Sequence, residues 1–110
     1  MRIQQCFPLV LAAALMLPAH AADEVTVQLV AKGGKFFPAE LVVPQGKKIR
    51  IEIANDGKDP VEFESTELRK EKVLAPGSKS VVVIVPQQPG RYKFFDEFHM
   101  ATGQGVLVVK

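Results

Sequence analysis

The sequence has 110 residues, with 14 basic and 12 acidic side chains, which gives room for one domain and a formal net charge of +2. This balanced charge lacks the basic face and stacking platform expected of a nucleic-acid-binding protein. One cysteine, Cys6, is present, so the chain has no internal disulfide framework.

The N-terminal residues have the pattern of a secretory signal peptide. Arg2 supplies a positive charge, and Phe7–Leu17 is an apolar run too short to span a bilayer as a helix. Ala19 and Ala21 then fit the small-x-small pattern that signal peptidase cuts. We therefore predict that residues 1–21 are removed.

Two membrane-anchored alternatives fit this region less well. A retained anchor is disfavoured because no stop-transfer pattern follows and the charged Asp23 and Glu24 come at once. A lipid anchor on Cys6 is disfavoured because this residue precedes the apolar run instead of following it. The exported domain is expected to be residues 22–110, which contain no cysteine and hence no thiolate for a soft metal.

In much of the rest of the chain, apolar and polar residues alternate with a period of two, which predicts half-buried strands. Apolar residues alternate with polar ones over Val25–Leu29 and Ile49–Ile53. Val81–Val85 is a continuous β-branched run that favours a central strand, buried on both faces. A short helical turn is expected only within Glu67–Val73. With turn signals at short intervals, such as Pro76-Gly77, the pattern predicts seven or eight strands in an antiparallel sandwich or barrel.

Two longer motifs resemble the cupredoxin family. Phe36–Gly46 matches the opening F-x-P-x-x-L-x-V-P-x-G pattern of that family. Pro89–His99, followed by Gly103–Val109, resembles its C-terminal half, which brings a cysteine, a histidine and a methionine to a copper site. The resemblance implies a Greek-key β-sandwich over nearly the whole exported domain.

The copper ligands of that family are mostly replaced in this chain. Asp96 stands at the cysteine position, and Val61 or Glu62 stands at the first histidine position. His99 matches the second histidine, while Gln104 replaces the axial methionine. Because a type 1 (blue) copper centre depends on its thiolate, the resemblance implies that this chain has no such centre and is not a blue-copper electron carrier.

A narrower resemblance is to the small periplasmic cupredoxin-like proteins of bacterial ferrous-iron uptake systems. It rests on residues 60–65, on the Glu67 to Lys72 segment and on Phe95–His99. This resemblance implies a periplasmic protein that acts beside a membrane ferric permease. Such a protein would bind iron or copper and assist uptake, and the resemblance leaves open whether it also oxidises Fe(II) as an enzyme.

The candidate ligands form a predominantly carboxylate set. Glu62 and Glu64 are two residues apart on a predicted strand, so they share one face. The cupredoxin arrangement would place the Asp96 to His99 loop beside them. The full candidate set is Glu62, Asp96, His99, Glu64, Glu97, Glu71, Met100 and Gln104. Carboxylates with one imidazole suit Fe(II), Fe(III), Mn(II) or Cu(II), and Met100 adds a soft ligand if copper binds.

Simpler interpretations of the same residues remain open. His99 is also typical of a polar loop residue, and the acidic run alternates with Arg69, Lys70 and Lys72 as a solvated, salt-bridged face would. In functional terms, the alternatives to iron handling are a periplasmic copper carrier and a metal-free docking module. A hydrolase is disfavoured because the sequence offers no nucleophile, base and acid set.

Overall fold

The computed structural model describes residues 23–110, which fold into a sandwich of two β-sheets. The elements are β1 (Glu24–Lys32), β2 (Lys35–Phe37), β3 (Glu40–Val43), β4 (Lys48–Asn55), β5 (Val61–Ser65), β6 (Lys70–Leu74), β7 (Lys79–Ile84), β8 (Gly90–Asp96), the 3-10 helix η1 (Glu97–His99) and β9 (Gln104–Val109). One sheet has the order β2-β1-β4-β7 and the other β3-β9-β8-β5-β6. The predicted all-β sandwich is therefore confirmed. Within residues 23–110, no helix is long and apolar enough to cross a membrane.

The strands follow the period-two pattern because alternate side chains enter a shared core. In β4, Ile49, Ile51 and Ile53 are fully buried, while the residues between them face outward. The centre of the core is aromatic: the ring centroids of Phe63 and Phe94 lie 5.2 Å apart in a stacked arrangement. Burying a phenylalanine side chain contributes about 1.5–3 kcal/mol, so these rings are major stabilising contacts.

Two glycines after η1 allow the end of the sandwich to close tightly. A Cβ atom on Gly105 would lie 2.3 Å from the ring of Phe94, and one on Gly103 would lie 2.7 Å from the Cβ of Asp96. No side chain fits at either distance. The Asp96 amide, at the end of β8, donates to the carbonyl of Gly103 over 2.7 Å, which draws the loop after η1 against β8. This close approach sets where Asp96 and His99 lie.

The structure differs from the sequence-based expectation in its strand count and strand directions. Residues 23–110 form nine strands instead of seven or eight, because Pro38, which lacks an N–H donor, separates the short β2 from β3. Two of the pairings are parallel, β1 with β4 and β3 with β9, so the sheets are mixed and not purely antiparallel. The helical turn expected within Glu67–Val73 is instead a tight turn through Arg69 (φ 58°) that leads into β6, and the helical turn of the described residues is η1.

The prediction that Val81–Val85 forms a central strand was wrong. β7 is the last strand of its sheet, with β4 as its neighbour in that sheet. Val82 and Ile84 enter the core, whereas Val83 and Val85 are exposed. A continuous apolar run thus marks an edge strand with one buried face. The predicted signal peptide, residues 1–21, and Cys6 lie outside the described residues, so cleavage stays a prediction.

Candidate metal centre

β5 carries two carboxylates on the outer face of its sheet. Val61 and Phe63 are buried in the core, so the alternation of the strand turns Glu62 and Glu64 outward. Both glutamates are partly covered by their neighbours. The sequence-based expectation that they share one face agrees with this arrangement.

Glu97 joins these two residues from η1, next to β5. One carboxylate oxygen from each of Glu62, Glu64 and Glu97 lies within 4.8 Å of the others, and we call these three residues the carboxylate cluster. Glu71 extends it, because β6 places this residue directly opposite Glu64. Within residues 23–110, these three side chains form the one group of at least three acidic, histidine or cysteine residues that lie close enough together to share an ion.

The close packing of the carboxylates raises their affinity for protons. The pKa of Glu64 rises from its ordinary value of 4.5 to about 7, through a hydrogen bond with Glu97, partial burial and the charges of Glu97, Glu71 and Glu62. The pKa of Glu62 is also raised, first by partial burial and then by the charges of Glu97 and Glu71. Near neutral pH the cluster therefore shares a proton, which a cation could displace.

No basic side chain neutralises the cluster within the described part of the chain. The ion pairs there join Arg50 to Glu52, Arg91 to Glu40 and His99 to Asp96. The alternative interpretation of this acidic run, a salt-bridged surface, would need ion pairs to these glutamates, and residues 23–110 form none. Glu67 lies outside the cluster and has a backbone partner, since its Oε1 accepts the amide of Lys93 at 3.3 Å.

Asp96 is buried and has its own hydrogen-bond partners. It is only 2% exposed. Its Oδ1 accepts the backbone amides of Glu62 and Phe98, both at 3.0 Å, and its Oδ2 lies 2.7 Å from Nδ1 of His99. We call this set of contacts the Asp96 network. Asp96 thus acts as an internal hydrogen-bond acceptor and does not belong to the carboxylate cluster.

His99 lies on the interior side of the same loop. Its Nδ1 atom lies 2.7 Å from Oδ2 of Asp96. The ring packs against Gly34 and lines a cavity of about 300 Å³ together with Asn55, Gly57 and Val61. His99 is therefore held by Asp96 and is not part of the carboxylate cluster.

Met100 and Gln104 do not join either group of candidate ligands. The Met100 side chain is 53% exposed. The Gln104 side chain folds back so that its Nε2 donates to the Met100 carbonyl at 2.7 Å. The eight candidate residues thus separate into a carboxylate cluster with Glu71 nearby, an internal Asp96–His99 pair and two residues outside both.

The family's thiolate copper centre does not fit the residues present. Asp96 occupies the thiolate position, and both of its oxygens are engaged in hydrogen bonds. The sequence resemblance places either Val61 or Glu62 at the first histidine position. Val61 is a buried apolar residue, and Glu62 faces outward. These residues therefore do not fit a type 1 copper centre, because they lack its ligand atoms and because their side chains already have other contacts.

Asn55 has a structural role that the sequence pattern does not indicate. It is fully buried, and its Nδ2 donates to the carbonyls of Asp59 and Leu74 while its Oδ1 accepts the amide of Gly57. These bonds fix the loop between β4 and β5 beside His99. The only signal was the Asn-Asp-Gly turn sequence, which predicts a turn without showing that the asparagine faces inward.

Comparisons with known proteins agree with this architecture. A family model described as a cupredoxin-like domain matches residues 5–109. An uncharacterized protein of Rickettsia prowazekii is 37% identical over 83 residues, which are 76% of this chain and 66% of the relative. The chain thus spans just under two thirds of that relative's length.

Two solved structures show the same fold at low identity. The metal-binding domain of the Cu(I)-exporting P-type ATPase CopA of Streptococcus pneumoniae, with Cu(I), aligns with a TM-score of 0.71 at 19% identity, over 80% of this chain and 87% of that one. A purple cupredoxin of Nitrosopumilus maritimus aligns with a TM-score of 0.59 at 21% identity, over 76% of this chain and 99% of that one.

Proposed function

Because this chain belongs to the cupredoxin-like domain family, matched over residues 5–109, we propose that it is a metal-handling protein that binds a hard cation at the carboxylate cluster. The observation that carries the proposal is the approach of three carboxylate oxygens, from Glu62, Glu64 and Glu97, to within 4.8 Å of one another. Oxygen ligands at this spacing suit Fe(II), Fe(III) or Mn(II) in preference to Cu(I).

The electrostatics of the cluster support a cation as its natural partner. Four glutamates, with Glu71 included, face one another without a basic side chain to balance them in residues 23–110. Holding a proton near neutral pH relieves part of this repulsion, as the raised pKa of Glu64 indicates. A divalent or trivalent ion would relieve more of it by replacing that proton.

The specific role we propose is assistance to iron uptake. In this role the exported protein receives iron in the periplasm and passes it to a membrane ferric permease. Carboxylates stabilise Fe(III) more than Fe(II), so binding here would also favour loss of an electron from Fe(II) to dioxygen or copper. The cluster lies on an outer strand face, from which cargo could be transferred to a partner.

A copper carrier is the second candidate. It is favoured by the solved domain that contains Cu(I), which shares the fold of this chain. His99 and the exposed Met100, at the end of η1, are the softer donors that such a role would use. Cu(II) could also bind the carboxylates, so the two candidates differ in the residues that hold the ion.

Calorimetric titration of the metal-free protein would test these proposals. We expect anaerobic Fe(II) to bind with a dissociation constant well below 1 mM and Glu64→Gln to weaken that binding. Glu52→Gln is the matched control, because Glu52 lies in the other sheet, where it contacts Gln28 and Arg50. A dissociation constant above about 1 mM, a binding free energy weaker than about −4 kcal/mol, would reject metal handling and leave the docking module.

Parallel titrations would identify the ion and the activity. Tight Cu(I) or Cu(II) binding that is lost in His99→Ala but retained in Glu64→Gln would favour the copper carrier. Oxygen consumption on mixing the protein with Fe(II), above that of the buffer, would assign an oxidase activity. Binding without faster oxygen consumption would assign a carrier.

A further inference from the structure

One buried oxygen atom connects the two elements that supply the carboxylate cluster. Oδ1 of Asp96 accepts the amide of Glu62, which belongs to β5, and the amide of Phe98, which follows Glu97 in η1. Both distances are 3.0 Å. The backbone positions of Glu62 and Glu97 are therefore fixed to the same atom.

The rest of the Asp96 network fixes that atom in turn. Oδ2 of Asp96 lies 2.7 Å from His99 Nδ1, which prevents rotation of the carboxylate. The Asp96 amide donates to the Gly103 carbonyl at 2.7 Å, and the Cβ position of Gly103 is close against Asp96. Asp96 is thus held at its backbone and at both carboxylate oxygens, as a rigid support requires.

A flexible support would leave the cluster poorly defined. Glu97 is exposed and lies in a helix of a single turn, so its own packing fixes it weakly. Its distance from Glu62 and Glu64 depends on where η1 begins relative to β5. Asp96 caps the start of η1 and also binds β5, so it sets this distance.

We propose that Asp96 is the positioning residue of the carboxylate cluster, holding Glu62 and Glu97 at cation-binding separation, while His99 fixes the Asp96 carboxylate. This inference rests on the proposed function and deepens it. Asp96 and His99, which the sequence resemblance would make ligands, act instead on the backbone behind the ligands. Supporting residues of this kind typically change metal affinity by about 10- to 100-fold.

The test compares Asp96→Ala and Asp96→Asn by anaerobic Fe(II) calorimetry. Alanine removes the acceptor for both amides, so we expect affinity to fall by about tenfold or more. Asparagine keeps an oxygen that can accept from Glu62 and Phe98, so affinity should remain within about threefold of wild type, a difference of about 0.7 kcal/mol. Equal loss in both variants would show that Asp96 acts through its charge and would overturn the positioning role.

Ser65→Ala is the matched control for general destabilisation. Ser65 is also buried on β5, where its hydroxyl donates to the Lys93 carbonyl and accepts the Leu68 amide. We expect this variant to lower stability without weakening Fe(II) binding. If it weakens binding as much as Asp96→Ala does, the effect belongs to stability and the proposal is wrong.

Metal-free nuclear magnetic resonance separates this inference from the proposed function. In Asp96→Ala, we expect faster exchange of the Glu62 and Phe98 amides and loss of contacts between the Glu62 and Glu97 side chains. Both signals should persist in Ser65→Ala. If wild type binds no cation, the proposed function fails, yet these spectra still show whether Asp96 holds the two glutamates together. Unchanged spectra in Asp96→Ala would reject the positioning role.

Discussion

The carboxylate cluster and the Asp96 network lie on opposite sides of one strand and contrast in how their charge is satisfied. In the network, a single buried carboxylate has three hydrogen-bond donors, two of them from the backbone. In the cluster, three glutamates face one another, and Glu64 is driven to retain a proton. The satisfied carboxylate stabilises the fold, whereas the unsatisfied ones are available to a ligand.

The largest expected effect comes from removing the carboxylate at the centre of the Asp96 network. Asp96→Ala leaves the Glu62 and Phe98 amides and the His99 ring without their acceptor. An unsatisfied donor costs roughly 1–3 kcal/mol when it is buried, and these three donors are partly buried, so the free energy of unfolding should fall by about 3 kcal/mol, the low end of their sum. Urea denaturation measures this loss. Glu64→Gln should cause no loss in the same experiment; if the two variants destabilise equally, the two regions do not differ as described.

The next largest effect is expected from removing two charges from the carboxylate cluster. Replacing Glu62 and Glu64 together by glutamine keeps their size but removes two negative oxygen ligands and the repulsion between them. Fe(II) affinity should fall by more than about tenfold, since even supporting residues act on that scale. The thermal midpoint should hold or rise, because like charges are removed. Calorimetry and thermal unfolding together check both statements, and unchanged affinity would place the ion elsewhere.

The sequence predicted the sandwich because period two is a strong signal wherever one face of a strand is buried. It also placed Glu62 and Glu64 on one face, since strand geometry alone fixes that relation. It could not predict that Asp96 turns inward, because this depends on the close approach of Gly103 and on the amide of Glu62, which is 34 residues away in the chain. A position aligned with a metal ligand does not reveal whether its side chain has other partners.

The prediction that β7 is a central strand was wrong for a related reason. The continuous run Val81–Val85 is apolar on both faces, which local sequence equates with burial on both faces. Which strand ends a sheet depends on the pairing of segments far apart in the chain, here β4 with β7. The face of a strand is a local property, but the neighbours that cover it are not.

The pH dependence of the carboxylate cluster has opposite signs for protein stability and for Fe(II) binding. The pKa of Glu64 is raised to about 7, so the folded protein binds this proton more tightly than the unfolded chain does. The stability that the Glu64 carboxyl group contributes is fully present below about pH 4.5 and is lost as the pH rises through about 7. Fe(II) binding should change in the opposite direction and strengthen over that window, because the cation needs the ionised form.

Unfolding and Fe(II) titrations at several pH values measure these two trends. The control is Glu64→Gln, which should flatten both curves between pH 4.5 and 7. A wild-type affinity for Fe(II) that does not change across the window would show that no shared proton is displaced on binding. The cluster would then not be the binding site.

The smallest effect concerns the boundary of the cluster. Glu71 faces Glu64 across the β5–β6 pair but is exposed, and it is not among the three residues whose oxygens converge. It should therefore act through its charge and not as a ligand. Glu71→Gln should weaken Fe(II) binding by only about two- to fivefold, as expected for an exposed charge, and the weakening should fade at high salt. A loss as large as that of Glu64→Gln, persisting in high salt, would make Glu71 a fourth ligand and move the centre of the site toward β6.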